Sequence, residues 1–163
     1  MGCRGVLFAI DQDEIRALRQ ATSDTEVEAL VATIEQRWDE RFLAQTDKAW
    51  DAIHRCLTDG TLAGGNGSFP LNHCILGGEE FHHGDEYIVT LTEAREVPAV
   101  ATTLQQVTEA FMRQAYDRLD PADYGPTWSE EDLEYTWDWF QEVRDLWSRA
   151  AAAGRAVVFT VDQ

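Results

Sequence analysis

The chain has 163 residues, a length that fits a single domain, and its 44% hydrophobic and 26% charged residues are typical of a folded globular protein. Thirty acidic against 13 basic residues give a net charge of −17. That charge argues against a nucleic-acid partner, because nucleic-acid backbones are bound by clustered cations, and no apolar run approaches the roughly 18 residues of a membrane span.

The first predicted elements are a strand and two capped helices. Residues 5–10 form an apolar run that is typical of a buried strand. Asp11, with Glu14 three residues later, predicts a helix that reaches about Ala21. Ser23 opens a second capping box, and the helical spacing of the apolar residues after it predicts a helix of about 20 residues. Those residues are Val27, Leu30, Val31, Ile34, Trp38 and Phe42.

The middle of the chain alternates between regular structure and glycine-rich loops. A third helix is predicted from about Asp47 to Leu57. Glycine and proline then interrupt regular structure between Thr58 and Pro70, and no Gly-Lys-Ser/Thr follows that would make this segment a phosphate-binding loop. The β-forming residues from Tyr87 to Leu91 predict a second strand.

Two helices and a strand are predicted in the last third. Thr102 is expected to cap a helix that ends at Asp120-Pro121 and points apolar residues inward, namely Leu104, Val107, Phe111, Ala115 and Leu119. Ser129 and the acidic residues after it open the last helix, which Gly154 ends. Residues 156–161 form a third apolar strand.

This order of elements predicts an α+β (mixed α/β) fold. We expect a small, mostly buried sheet of about three to four strands packed by about five helices. The N- and C-terminal strands are expected in the same sheet, with five aromatic residues largely buried around it: Trp38, Trp50, Phe111, Trp137 and Phe140. No repeat or linker is visible, so residues 1–163 are predicted to form one domain.

Short motifs along the chain resemble those of one family. They are the opening Met-Gly-x-x-Gly with Phe8-x-x-Asp11, then Trp50-x-x-x-His54-x-x-Leu57-Thr58-x-Gly60, Ile75-Leu76-Gly77-Gly78, and Tyr124 to Trp128 before a long helix and a final apolar strand. In this order they resemble the YfbM-like family of bacterial proteins of unknown function. The resemblance covers essentially the whole chain and implies a compact mixed α/β domain in the bacterial cytoplasm. It implies no established activity, cofactor or catalytic residue.

A polar cluster follows the glycine-rich segment and contains the residue types that bind zinc: His73, Cys74, Glu79, Glu80, His82, His83 and Asp85. It has no helical His-Glu-x-x-His pair, and the adjacent His82 and His83 would point apart in a strand. The three cysteines lie far apart without a Cys-x-x-Cys pair. We therefore expect a polar surface loop here, with no metal and no cofactor.

His54 is predicted beside the buried face of the third helix, close to the glycine-rich loop. A histidine in this place can act as a general base, or it can donate to a loop carbonyl and hold Thr58-Asp59-Gly60 in position. We favour the structural role. The alternative is a small-molecule or enzyme pocket built from eight residues: Trp50, His54, Thr58, His73, Glu79, His82, His83 and Asp85.

The last helix carries like charges four residues apart, which repel one another on a helix surface. Such a column is either a solvated face or a surface that attracts a basic partner. Trp139 lies off the buried stripe, where it can serve as a binding anchor. The candidate partner-binding residues are Glu130, Glu134, Asp138, Trp139 and Glu142.

Two classes of function therefore remain. We expect first a binding protein that docks a basic partner through acidic helix faces, and second a small-molecule binder or enzyme that uses the pocket around His54. The odd number of cysteines and the absence of a secretory pattern before residue 5 favour the cytoplasm. No nucleic acid or membrane is expected as a partner. Enzymatic activity and homo-oligomerisation stay open.

Overall fold

A computed structural model of the protein describes residues 3–163; Met1 and Gly2, which open the first motif of the resemblance, lie outside the described residues. Within that range five strands form one antiparallel sheet in the order β2-β1-β5-β4-β3. The strands are β1 (Gly5–Ile10), β2 (Leu43–Asp47), β3 (Glu79–Glu80), β4 (Tyr87–Thr92) and β5 (Ala156–Asp162).

Seven α-helices accompany the sheet within residues 3–163. They are α1 (Gln12–Gln20), α2 (Asp24–Arg37), α3 (Trp50–Leu57), α4 (Val97–Gln105), α5 (Glu109–Asp117), α6 (Pro121–Tyr124) and α7 (Glu130–Ala153). Short 3₁₀ helices cover Glu40–Phe42 and Leu71–Cys74. The fold class is α+β, with one strand more and two helices more than the upper numbers expected from the sequence. None of the helices in this range is both long and apolar enough to cross a membrane.

Burial on both faces explains why the terminal strands are almost entirely apolar. β1 and β5 pair directly, from Val6 opposite Thr160 to Ile10 opposite Ala156, as predicted. Leu7 faces the core shared with α3, α4, α5 and α7, whereas Phe8 faces the core shared with α1 and α2. A strand that is covered on both faces reads as a continuous apolar run.

The predicted caps of three helices are present in the structure. The Asp11 carboxylate accepts a hydrogen bond from Glu14 N at 2.9 Å, and the Glu14 carboxylate accepts one from Asp11 N at 3.1 Å. Ser23 and Ser129 cap α2 and α7, each accepting from the backbone three residues later. Gly154 ends α7 with φ +65°, the left-handed conformation that glycine adopts most easily.

The predicted second helix was too long, and the strand that follows it was missed. α2 ends at Arg37 because Trp38 is in the left-handed region, with φ +43°. Phe42 therefore lies in a 3₁₀ turn, and residues 43–47 pair with β1 instead of leading into a helix. The third helix accordingly begins at Trp50 and not near Asp47.

The helix predicted between Thr102 and Leu119 is two helices. Thr102 lies inside α4, and Thr108 caps α5 by accepting a hydrogen bond from Phe111 N at 3.1 Å. The expected burial was wrong for Phe111 and Trp38, which are 38% and 39% exposed. It was right for Trp50 and Phe140, while Trp137 is half-buried.

Candidate functional site

His54 lies on α3 with its side chain buried against the glycine-rich loop. Its Nε2 is 2.7 Å from the carbonyl oxygen of Ala63 and 2.7 Å from Oδ1 of Asn66. Both of these atoms are acceptors, so Nε2 carries the proton and donates to both. Thr58 Oγ1 donates to the carbonyl of His54 at 2.7 Å. The imidazole thus joins α3 to the loop that follows it.

Asn66 extends this link across the loop. Its Nδ2 lies 2.6 Å from Oδ1 of Asp59 and 2.9 Å from the carbonyl of Thr61. The Thr61 hydroxyl also donates to Asp59 at 2.7 Å, and this bond with the other donors lowers the pKa of the Asp59 carboxyl. Residues 58–66 are therefore held by side-chain hydrogen bonds in place of regular structure.

A surface pocket of about 290 Å³ lies beside β4 and the loop after β3. Three of the predicted pocket residues line it, namely His82, His83 and Asp85, together with Glu80 of the polar cluster. Within residues 3–163 its lining does not include the other five: Trp50, His54, Thr58, His73 and Glu79. The fold therefore does not bring the eight predicted pocket residues together around one cavity.

His82 is buried at the rim of this pocket between two acceptors. Its Nε2 is 2.7 Å from Oε1 of Glu28 and its Nδ1 is 3.2 Å from the carbonyl of Gly84. Both contacts are satisfied when both ring nitrogens carry protons. Burial opposes the charged form, but the bonds to Glu28 and Gly84 and the nearby Asp24 carboxylate outweigh it and raise the pKa of His82.

The neighbouring backbone is held to the N-terminus of α2. His83 N and Gly84 N each donate to the Asp24 carboxylate at 3.0 Å, and the bond from His83 N is the main cause of the lowered pKa of Asp24. The His83 ring is exposed, with Nδ1 at 3.2 Å from the same carboxylate. His82 and His83 therefore fasten a loop to a helix.

The other predicted pocket residues make separate structural contacts. Trp50 Nε1 donates to the carbonyl of Cys3 at 2.8 Å, and Glu79 forms an ion pair with Arg19 at 3.1 Å. His73 Nδ1 lies 3.1 Å from the Thr92 hydroxyl, and burial lowers the pKa of His73. Across the described part of the chain, no three His, Cys, Asp or Glu side chains are grouped so that they could hold a metal ion.

The acidic column on α7 is only partly neutralised. Glu130 forms an ion pair with Arg113 at 2.6 Å, and this bond lowers the pKa of Glu130. Glu134, Asp138 and Glu142 are exposed, and none forms an ion pair within the part of the chain that the structure describes. Trp139 is half-buried, and its ring meets that of Tyr135 edge-on at 6.2 Å.

A groove that the sequence did not predict runs along the outer edge of β2. Its volume is about 260 Å³, and we call it the β2 groove; it is lined by Trp38, Glu40, Leu43, Ala44, Gln45, Glu142, Asp145 and Arg149. Arg149 donates from Nε to the carbonyl of Arg41 at 2.9 Å and from Nη2 to that of Leu43 at 3.3 Å. The position of Asp145, three residues after Glu142, was the one available sign that the acidic column extends further.

Comparison with known proteins places the chain in a family. The model of a domain of unknown function, DUF1877, matches residues 1–160. The chain belongs to the DUF1877 family. The solved structure of YfbM from Escherichia coli, a protein of unknown function, has a similar fold, with a TM-score of 0.72 and 21% identity over 97% of this chain and 99% of that one.

These matches confirm the resemblance to YfbM-like proteins. No curated protein matches the chain. Neither the DUF1877 description nor that of YfbM assigns a function. A function for this DUF1877 member must therefore be argued from its own surface.

Proposed function

We propose that the protein is a binding protein that docks a basic partner on the outward side of α7. The acidic α7 face consists of Glu134, Asp138, Glu142 and Asp145, which follow one another at intervals of four, four and three residues. One observation carries the proposal. All four carboxylates are exposed, and within residues 3–163 none of them forms an ion pair, whereas Glu130 is paired with Arg113.

Electrostatics favours a cationic partner at this surface. Like charges at i and i+4 repel, so the free protein gains stability when a cation comes between them. The net charge of −17 adds a long-range field that accelerates the approach of a basic protein and slows that of an acidic one. A nucleic acid is repelled by the same field.

The helix that carries this face is a rigid support. α7 has 24 residues, and its opposite side is buried in the core, with Phe140, Val143 and Leu146 each 0% exposed. Charges on such a scaffold keep fixed spacing, so the docked partner needs little reorganisation of the surface. The half-buried Trp139 lies next to Asp138 in sequence and adds an aromatic contact area to the charged one.

We also propose that the protein acts in the bacterial cytoplasm. Its cysteines are free, and two of them, Cys56 and Cys74, are buried. Burial raises the pKa of the Cys56 thiol to about 12, which keeps this thiol protonated and unreactive. Unpaired thiols of this kind suit a reducing compartment.

Capture from a lysate of the source bacterium at low salt tests the docking function. The bait proteins are the native chain, Glu134→Lys with Asp138→Lys, and a control of equal net charge, Glu109→Lys with Asp117→Lys. The two control residues are exposed on α5. We expect a basic partner that the native and control chains retain and the α7 variant loses. Equal retention by all three chains, or an acidic partner, would contradict the proposal.

A further inference from the structure

We propose that the β2 groove receives an extended, basic segment of the partner as an added β-strand. This inference rests on the proposed function and specifies the form in which the partner binds. The groove has a strand as its floor, a tryptophan and an acidic residue on one side, and the end of the acidic α7 face on the other.

The sheet ends at β2. In the order β2-β1-β5-β4-β3, β1 pairs with one edge of β2, and no strand within residues 3–163 pairs with the other. An unpaired sheet edge presents N–H and C=O groups to which an extended peptide adds by main-chain hydrogen bonds. β3, at the opposite edge, has two residues and offers less pairing than the five of β2.

Trp38 provides an apolar anchor beside this edge. It follows the last residue of α2, is 39% exposed and lines the groove. Large aromatic side chains that lie partly exposed beside a concave surface are frequent anchors of protein partners, because they bury a large area with few rotatable bonds. Gln45, on the strand itself, is also exposed and lines the same groove.

The charge of the groove determines which segment fits. Glu40, Glu142 and Asp145 line it together with one cation, Arg149, whose guanidinium already donates to two carbonyl oxygens. Three carboxylates against one guanidinium leave an excess of negative charge. An added strand that carries lysine or arginine at alternate positions would direct these side chains to the carboxylate-lined side.

The same charges disfavour a second copy of this chain as the occupant. Pairing β2 with the β2 of another molecule would bring two sets of the same three carboxylates together, and two chains of charge −17 repel at long range. A basic segment of another protein meets no such barrier.

The test uses a synthetic probe peptide of about eight residues, roughly the length of a longer strand, in which lysine alternates with threonine. A second peptide has the same sequence but carries N-methyl groups on its central backbone amides, so its charge and side chains are unchanged. We expect the first peptide to bind at low salt and the methylated one to bind at least about tenfold more weakly, because methylation removes the donors of the β-ladder. Binding should also slow amide hydrogen exchange in residues 43–47.

Protein variants locate the site. Trp38→Ala and the pair Glu142→Gln with Asp145→Gln should each weaken binding of the unmethylated peptide. The pair Glu109→Gln with Asp117→Asn changes the net charge equally on α5 and should leave binding unchanged. Melting temperatures measured alongside show that each variant is folded.

The outcomes separate this inference from the proposed function. Equal binding of both peptides, with loss in the Glu142 and Asp145 variant, would overturn strand addition and leave docking on the acidic α7 face in place. Failure of the unmethylated peptide to bind at low salt would overturn the inference, while the lysate experiment decides on docking independently. Dimerisation of the free protein that Glu142→Lys abolishes would assign the edge to a second copy and would also overturn it.

Discussion

Replacing His54 with alanine tests whether this histidine is structural. The imidazole is 1% exposed and supplies the donor for two acceptors, the Ala63 carbonyl and Asn66 Oδ1, both at 2.7 Å. Alanine removes that donor and leaves a cavity in the space of the ring. The loop of residues 58–66 then loses its direct side-chain link to α3.

The expected loss of stability follows from these contacts. A buried acceptor without a donor costs roughly 1–3 kcal/mol. Ala63 is exposed and Asn66 half-buried, so water can replace part of the lost bond, and the penalty lies in the lower half of that range. The cavity adds a contribution that water does not remove, because α3 packs it on the core side. We expect a loss of about 2 kcal/mol in the free energy of unfolding, or roughly 4–8 °C in melting temperature for a chain of this size.

Urea and thermal unfolding of His54→Ala measure this loss, and hydrogen exchange shows whether residues 58–66 open more often. His83→Ala is the matched control, because it removes a second histidine whose side chain is 90% exposed and should change stability little. Asn66→Ala and the double variant complete a cycle in which we expect the two losses to be non-additive. A melting temperature of His54→Ala equal to that of the control would refute the structural role.

Two further predictions concern the charged groups. Asp138→Lys should stabilise the free protein by about 1 kcal/mol at low salt, because two repelling pairs, with Glu134 and Glu142, become attractive; thermal unfolding at low and high salt measures it, and an unchanged melting temperature contradicts the proposed repulsion. The raised pKa of His82 means that the folded chain holds this proton more tightly than the unfolded chain. The stability of the native chain relative to His82→Gln should therefore be fully present below about pH 6.5 and decline as the pH rises through the folded pKa, as measured by urea unfolding; a difference that grows with pH would contradict the ion pair with Glu28.

The strands that could be predicted are those with a local signal. β1 and β5 are apolar at nearly every position, and burial on both faces is the one arrangement that accommodates such runs in a sheet. β2 has no such signal, because Leu43-Ala44-Gln45-Thr46-Asp47 contains one β-branched residue and an exposed glutamine. It becomes a strand through its pairing with β1, which aligns Phe8 with Leu43. That contact joins residues 35 positions apart and is invisible in a local window.

Competing caps explain the error between residues 97 and 119. Leu104, Val107 and Phe111 continue one helical period, so the pattern does not mark the break between α4 and α5. Thr108 followed by Glu109 is a capping residue before an acidic first turn and was a usable sign of a new helix. Splitting the helix turns Phe111 outward, because its direction is then set by α5 alone.

The candidate site was predictable where it lies on one helix and not where it joins several elements. The spacing of Glu134, Asp138 and Glu142 is enough to place them on one side of α7. The β2 groove needs the end of α2, the edge of β2 and the last turns of α7 to meet, and no local pattern contains that arrangement.

Trp38 illustrates why the rest of the groove was missed. Its helical spacing with Ile34 suggested a core residue, but a left-handed backbone at the end of α2 turns it out of the buried stripe. Glycine adopts that conformation with less strain than any residue that carries a Cβ, and a polar residue would suit the exposed site better. Neither the backbone nor the solvent explains a tryptophan here. A partner that covers the ring beside the open edge of β2 explains both its identity and its exposure.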